Sequence, residues 1–119
     1  MPADGKVSTS EEIKSASNGL RGTISQELES PGSGFSPANA QLLKFHGVFQ
    51  QEDRDVRLQR RRGGEEPDVE FTVRMRATGG RLTASQMLGI LDLVEDFHPG
   101  SLRATSRQGL QLSQLRKCD

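Results

Sequence analysis

The chain has little of the material from which small domains build a core. Its 119 residues contain no Trp and no Tyr, hydrophobic residues make up only 32%, and 13 residues are Gly. A chain of this length forms at most one small domain, and so few apolar side chains leave little surface to bury. We therefore expect a core that this chain completes only in part.

Cysteine pairs, net charge and long apolar runs are also missing. The single cysteine, Cys118, excludes a disulfide framework and favours a reducing compartment, the cytoplasm or a plastid. Lys and Arg number 16, as do Asp and Glu, so nucleic acid and membrane are not expected as bulk partners. No apolar run has transmembrane length, and the N-terminus lacks the apolar core of a signal peptide.

The clearest pattern runs from Val69 to Ser113 and predicts a strand, a turn, a helix and a second strand. Apolar and polar residues alternate over 69–76, which is typical of a half-buried strand. Gly79 and Gly80 end that strand. Thr83 is placed to open a helix that ends near residue 97, and a second alternating strand is predicted over 102–113.

The predicted strands, joined by a crossover helix, would run parallel and turn their apolar faces toward that helix. The opposite face would then carry four arginines in two neighbouring rows: Arg74, Arg76, Arg103 and Arg107. Guanidinium groups offer a rigid fork of donors suited to carboxylates and oxyanions. The pattern is equally compatible with a solvated basic face and with a wall for a polyanionic ligand.

The first 67 residues predict a disordered tail over 1–10 and an arm over 11–67. Few apolar residues occur there, so the arm is expected to lie over another part of a protein. Its predicted elements are short helices over 11–16, 25–29 and 38–43, a strand over 44–50 and an exposed hairpin or loop over 58–64.

The helix predicted over 84–97 is apolar around well over half of its circumference. A helix that covers one sheet needs an apolar stripe only ~100° wide or somewhat more. This helix is therefore expected to be buried on two sides, and the chain is expected to be a piece of a larger protein.

Four segments resemble one known family in order and spacing. They are Ser-Asn-Gly-Leu-Arg-Gly-Thr-Ile at 17–24, the stretch 39–55 with Lys-Phe-His-Gly and Gln-Gln-Glu-Asp-Arg-Asp, the arginine-rich strand and Gly-Gly turn at 73–83, and the strand at 102–112. Together they resemble the opening part of assimilatory sulfite reductases, the sirohaem and 4Fe-4S enzymes of the nitrite/sulfite reductase family. The resemblance implies an α+β fold: an incomplete ferredoxin-like half-domain (a β-α-β unit) over 68–115, preceded by an extended, largely irregular N-terminal arm.

The resemblance also implies a function. The family reduces sulfite to sulfide with six electrons, which enter through the 4Fe-4S cluster; in the most similar branch the donor is ferredoxin, and nitrite is the alternative substrate. Sirohaem carries eight carboxylates, so arginines suit its site. By resemblance, Arg74 is expected to bind the substrate anion and Arg107 and Gln111 to contact sirohaem, with Arg76 and Arg103 as further cofactor contacts.

Several departures from the family pattern limit what the chain can do alone. The family has His at Ser113, Gly at Gln114 and Pro at Thr78, and residues 113–119 leave the pattern, which suggests a truncation or frameshift. The four cysteines that hold the cluster are absent, so catalysis by this chain without the remainder of the reductase is not expected. A non-catalytic anion- or tetrapyrrole-binding module and a non-functional truncated product remain as alternatives.

Metal ligation within this chain is not predicted. His46 and His98 lack a second His, Cys or carboxylate at metal-ligand spacing, so both are interpreted as structural. The run Arg60 to Arg62 lacks aromatic residues for base stacking, which argues against a nucleic-acid site.

Overall fold

The computed structural model of the protein describes residue 5, residues 7–65 and residues 68–119. The helices are α1 (Thr9–Ser15), α2 (Ile24–Glu29), α3 (Pro37–Phe45), α4 (Arg54–Gly63) and α5 (Ala84–Phe97). The strands are β1 (Val48–Glu52), β2 (Val69–Met75), β3 (Ser101–Ala104) and β4 (Leu110–Leu115). Half of the predicted disordered tail, residues 1–4 and 6, lies outside the described residues, and α1 already begins at Thr9.

The four strands form one sheet in the order β1-β2-β4-β3, and all neighbouring strands are antiparallel. Helix α5 connects β2 to β3, which run in the same direction but are separated by β4. The combination of helices with an antiparallel sheet confirms the α+β class and is consistent with the expected ferredoxin-like half-domain.

The single strand predicted over 102–113 is wrong, because this segment is a hairpin of β3 and β4. Thr105 closes its turn: its N–H donates to the Gly109 carbonyl (2.8 Å), and its hydroxyl accepts the Gly109 N–H (3.2 Å). Gln108 adopts a left-handed backbone with φ +60°, which reverses the chain. The prediction of two neighbouring parallel rows is therefore wrong as well.

The faces of this segment nevertheless agree with the alternation. In an antiparallel pair, directly opposed residues share a face. Leu102 lies opposite Leu112 and Ala104 opposite Leu110, so the four apolar residues meet on one face although they belong to two strands.

The arm contains more regular structure than its sequence indicates. Its three predicted helices are present within a few residues of their expected bounds, and its strand lies at 48–52 rather than 44–50. At the start of α3, the Ser36 side chain accepts the Asn39 N–H (3.4 Å) and Pro37 occupies the first turn. Strand β1 then pairs with β2, so the arm supplies an edge of the sheet.

The loop predicted over 58–64 is wrong, because most of it belongs to α4. Asp53 caps this helix by accepting the N–H groups of Asp55 (2.9 Å) and Val56 (3.4 Å). Gly64 ends the helix in the left-handed conformation, with φ +68°.

The core is small, as the composition predicts. Its buried apolar side chains are Leu42, Leu43, Val69, Phe71 and Leu112. No residue of α5 is fully buried: Met87, Ile90 and Val94 are half-buried, and Leu88 is 61% exposed. Within the described residues, the second side of α5 is therefore uncovered.

Residues 113–119 are part of the fold. β4 continues to Leu115, and the Arg116 guanidinium then forms ion pairs with Asp68 and with Glu70 (3.6 Å). The hydrogen bond with Asp68 raises the pKa of Arg116. Lys117 donates to the Ser30 carbonyl (3.1 Å) and so ties this end of the chain to the arm.

Among the described residues, we find no helix that is long and apolar enough to span a membrane.

Candidate anion-binding site

One row of polar side chains crosses the sheet on the face opposite the core. Gln111 of β4 lies directly opposite Arg74 of β2 on one side and Arg103 of β3 on the other. Neighbouring strands are about 4.8 Å apart, so the backbones at the two arginines are about 10 Å apart. The alternation along each strand fixes this common face.

Two cavities adjoin this face. The smaller, of about 380 Å³, lies over the row itself; its polar lining includes Gln51, Thr72, Arg74, Arg103, Gln111 and Ser113. The larger, of about 650 Å³, lies where β2 ends beside the β3–β4 turn; its basic and amide lining includes Lys44, Arg74, Arg76, Arg107, Gln108 and Gln111.

The five residues predicted as a site are thus divided between two cavities. Arg76 follows the last residue of β2, and Arg107 lies in the β3–β4 turn, so both line the larger cavity only. Arg103 lines the smaller cavity only. Arg74 and Gln111 line both, which places them at the boundary.

The arginines of this face have no acidic partner within the described part of the chain. Arg74, Arg76, Arg103 and Arg107 are all exposed, and none forms an ion pair or a side-chain hydrogen bond there. Elsewhere the chain does pair its arginines, for example Arg57 with Glu52 at 3.5 Å. The four guanidinium groups therefore keep their donors available for an anionic ligand.

Two residues of the arm determine where Arg74 lies. The Arg74 N–H donates to the Gly47 carbonyl (2.8 Å), and Gly47 has φ +82°. A Cβ atom at Gly47 would lie 3.1 Å from the Arg74 carbonyl oxygen, which is a tight contact, and it would be strained by the positive φ, so glycine suits this close approach. The Arg74 guanidinium carbon lies 4.4 Å from the centroid of the Phe49 ring.

Sequence reasoning missed Lys44, Gly47 and Phe49 as parts of this site. All three lie in the arm, and their positions near Arg74 depend on the pairing of β1 with β2. The sequence pattern of 39–55 predicts a helix and a strand but not which distant strand they lie against. His46 was interpreted as structural, and its Nε2 lies 2.9 Å from the Leu20 carbonyl oxygen, which ties α3 to the preceding loop.

The residues present suit one of the two cofactors that the resemblance implies. The larger cavity is lined by Lys44, Arg74, Arg76 and Arg107, which form no ion pair with any described residue, and this lining fits a polycarboxylate such as sirohaem. A 4Fe-4S cluster does not fit. Its ligands are four thiolates, whereas the chain has only Cys118, and the described residues contain no cluster of three or more His, Cys, Asp or Glu side chains that could hold a metal ion.

Comparison with known families identifies the segment that carries these arginines. Residues 64–119 match the family described as the nitrite/sulfite reductase ferredoxin-like half domain. Residues 64–119 belong to this family. The resemblance on which the sequence analysis relied is therefore confirmed, and all five predicted site residues lie within the half domain, whereas Lys44, Gly47 and Phe49 lie before it.

Similar full-length proteins support the same assignment over nearly the whole chain. The sulfite reductase [NADPH] hemoprotein beta-component of Bordetella petrii is 43% identical over 113 residues, which is 94% of this chain and 19% of that protein. The protein of the same name in Oceanobacillus iheyensis is 44% identical over 117 residues (98% and 20%). The sulfite reductase [NADPH] subunit beta of Saccharomyces cerevisiae is 42% identical over 113 residues (94% and 8%). The chain thus spans about a fifth or less of the length of these relatives.

Proposed function

We propose that this chain is part of a sulfite reductase and supplies the arginine-rich wall of its sirohaem and substrate site. The observation that carries the proposal is the convergence of Arg74, Arg76 and Arg107 around one cavity, where no acidic residue of the described part of the chain forms an ion pair with them. Unpaired guanidinium groups on one face repel one another, and a bound polyanion removes that repulsion. Such a wall suits a tetrapyrrole with many carboxylates and a small oxyanion beside it.

The two cavities suggest how the roles are divided. Arg76 and Arg107, which line the larger cavity, would bind carboxylates of sirohaem. Arg74, at the boundary between the cavities, would bind the sulfite oxygens. Gln111 and Arg103 would contact the cofactor from the smaller cavity, where Gln111 can both donate and accept hydrogen bonds.

Redox chemistry needs more than these residues. Bound sirohaem would supply the iron at which sulfite is reduced; this chain's own residues bind, orient and neutralise charge. The cysteines for a 4Fe-4S cluster would have to come from the remainder of a reductase, which we propose as the chain's principal partner. We place this assembly in the cytoplasm, or in a plastid of a eukaryote.

The electron donor is a separate part of the proposal. Ferredoxin remains a prediction, and the names of the three relatives specify NADPH instead. Sulfite reduction by a complete reductase containing this chain, assayed with reduced ferredoxin or with NADPH as the sole electron source, distinguishes the two. The same relatives are named for sulfite, which favours sulfite over nitrite as the substrate.

The site assignment is tested with the variant Arg107→Ala. Sirohaem is titrated into the chain and its binding followed by absorbance. Loss of one charged hydrogen-bonding group should weaken binding by about tenfold. Arg107 lies in an exposed turn, so the fold should not change.

The matched control is Arg61→Ala on α4. Arg61 is exposed and lines neither cavity, so this variant removes the same charge away from the site. Equal affinities of both variants and the unaltered chain would contradict the site assignment. If the chain binds sirohaem tightly but every reductase assembled with it is inactive, the alternative of a non-catalytic binding module is favoured.

A further inference from the structure

Arg74 differs from the other three arginines of its face in one contact. Among the described residues, it is the only one of the four whose guanidinium group lies against an aromatic ring, that of Phe49. At 4.4 Å from guanidinium carbon to ring centroid, the cation lies well within the range of a cation–π interaction. Among the described residues, the Arg74 guanidinium group makes no second cation–π contact.

The pairing of β1 with β2 produces this contact. Phe49 lies directly opposite Thr72, and Arg74 is two residues further along the same face of β2. Diagonal neighbours on a sheet are close enough for an aromatic ring and a long side chain to meet. The hydrogen bond from the Arg74 N–H to the Gly47 carbonyl holds the two strands together at this end.

We propose that Phe49 is a positioning residue for Arg74, which holds the guanidinium group toward the anion without occupying its donors. This inference rests on the proposed function, in which Arg74 binds sulfite. A carboxylate partner would orient the arginine equally well but would compete with the anion for the N–H groups. A ring face attracts the cation and leaves the N–H groups at its edge free.

The benefit to binding is preorganisation. An exposed arginine side chain samples many rotamers, and ordering it when a ligand binds weakens the affinity. A ring that already restricts the side chain reduces this loss. Phe49 is half-buried beside the smaller cavity, so its own position is restrained by the sheet.

The test compares Phe49→Leu with Phe49→Tyr in this chain. Sodium sulfite is titrated under anaerobic conditions, and the Arg74 Nε–Hε resonance is followed by NMR. Loss of the ring should remove its ring-current shift from that resonance and weaken sulfite binding roughly threefold to fivefold. Phe49→Tyr keeps a ring face and should keep both the shift and the affinity.

The matched control is Phe35→Leu. Phe35 also carries a cation over its ring, the Lys117 ammonium group at 5.1 Å, but it lines neither cavity. The variant Phe35→Leu should leave sulfite affinity unchanged although it removes an aromatic residue from the fold.

The outcomes separate the two levels of the proposal. If the unaltered chain binds sulfite and Phe49→Leu binds it equally well, the positioning role is wrong and the proposed function stands. If Phe49→Tyr loses as much affinity as Phe49→Leu, the ring face is not the cause and the positioning role is again wrong. If the unaltered chain does not bind sulfite, the proposed function fails and the positioning role fails with it.

Discussion

At the scale of single residues, two glutamines adopt a backbone conformation that residues with a Cβ atom disfavour. Gln108 and Gln114 both have left-handed backbones, with φ +60° and φ +59°. For an L-residue with a Cβ atom this conformation costs roughly 1–2 kcal/mol relative to the right-handed region. Gln108 turns the β3–β4 hairpin, and Gln114 lies on β4 near the irregular pairing with β2.

The variant Gln114→Gly should therefore stabilise the chain. Relief of the left-handed strain exceeds the loss of contact between the Gln114 side chain and Gly100, and we expect a gain of about 1 kcal/mol in the free energy of unfolding. Urea denaturation followed by circular dichroism measures it. Gln114→Ala is the control: it loses the same contact but keeps the Cβ atom, so it should not be stabilising. A gain of equal size in both variants would show that the backbone is not the cause.

At the scale of elements, α4 shows how local signals compete. Five arginines and a terminal Gly-Gly indicate an exposed loop, but Asp53 and Gly64 cap a helix between them. Good helix formers at most positions and a satisfied first turn are enough to form it locally. The helix contains no fully buried residue, so its stability owes little to packing.

Removing its cap should therefore loosen α4 without unfolding the protein. In Asp53→Ala the Asp55 and Val56 N–H groups lose their acceptor, and we expect about 1 kcal/mol less stability for the helix. Amide hydrogen exchange should accelerate within 54–63, while protection of β2 and β4 should stay the same. Uniform acceleration throughout the chain would show that α4 is coupled to the core, contrary to this prediction. Asp55→Ala, which leaves the cap intact, serves as the control.

At the scale of the whole molecule, polar contacts join α2, which contains no buried residue, to α3, which contributes to the core. Asn39 of α3 donates to the Thr23 hydroxyl (2.8 Å), and Glu27 of α2 accepts the Ser36 N–H (2.9 Å). Hydrogen bonding from the Asn39 side chain and then from the Ser36 backbone lowers the pKa of Glu27. The ionised carboxylate therefore helps to join α2 to the start of α3.

This contact predicts the direction of a pH effect. Because the pKa of Glu27 is lower in the folded chain than the ordinary glutamate value of 4.5, the stabilisation is fully present above about pH 4.5 and is lost as the pH falls through the folded value. Glu27→Gln should flatten that part of the pH dependence of the free energy of unfolding, measured by urea denaturation between pH 3 and pH 7. The control is Glu29→Gln, at an exposed position of the same helix. An unchanged slope in Glu27→Gln would assign the pH dependence to other groups.

Much of the fold follows from local patterns of the sequence. Residues that alternate with period 2 keep their faces whatever partner a strand finds, so Arg74, Arg103 and Gln111 were placed together although the strand order was wrong. The caps of α3 and α5 are equally local: Ser36 accepts the Asn39 N–H, and Thr83 forms a capping box with Gln86. Such features depend on residues within one turn of each other.

Only the tertiary structure decided the division into strands and the surroundings of the arginines, because both depend on which distant segments pair. The alternation over 102–113 does not distinguish one long strand from two short ones. The turn at Thr105 and the pairing of β4 with β2 make it two strands. As a result, Arg107 lies at the rim of the larger cavity, which Arg74 also lines. The ring of Phe49 reaches Arg74 only because β1 pairs with β2 in one register. The sequence by itself determined that Arg74, Arg103 and Gln111 share a polar face, and long-range strand pairing determined what surrounds each of them.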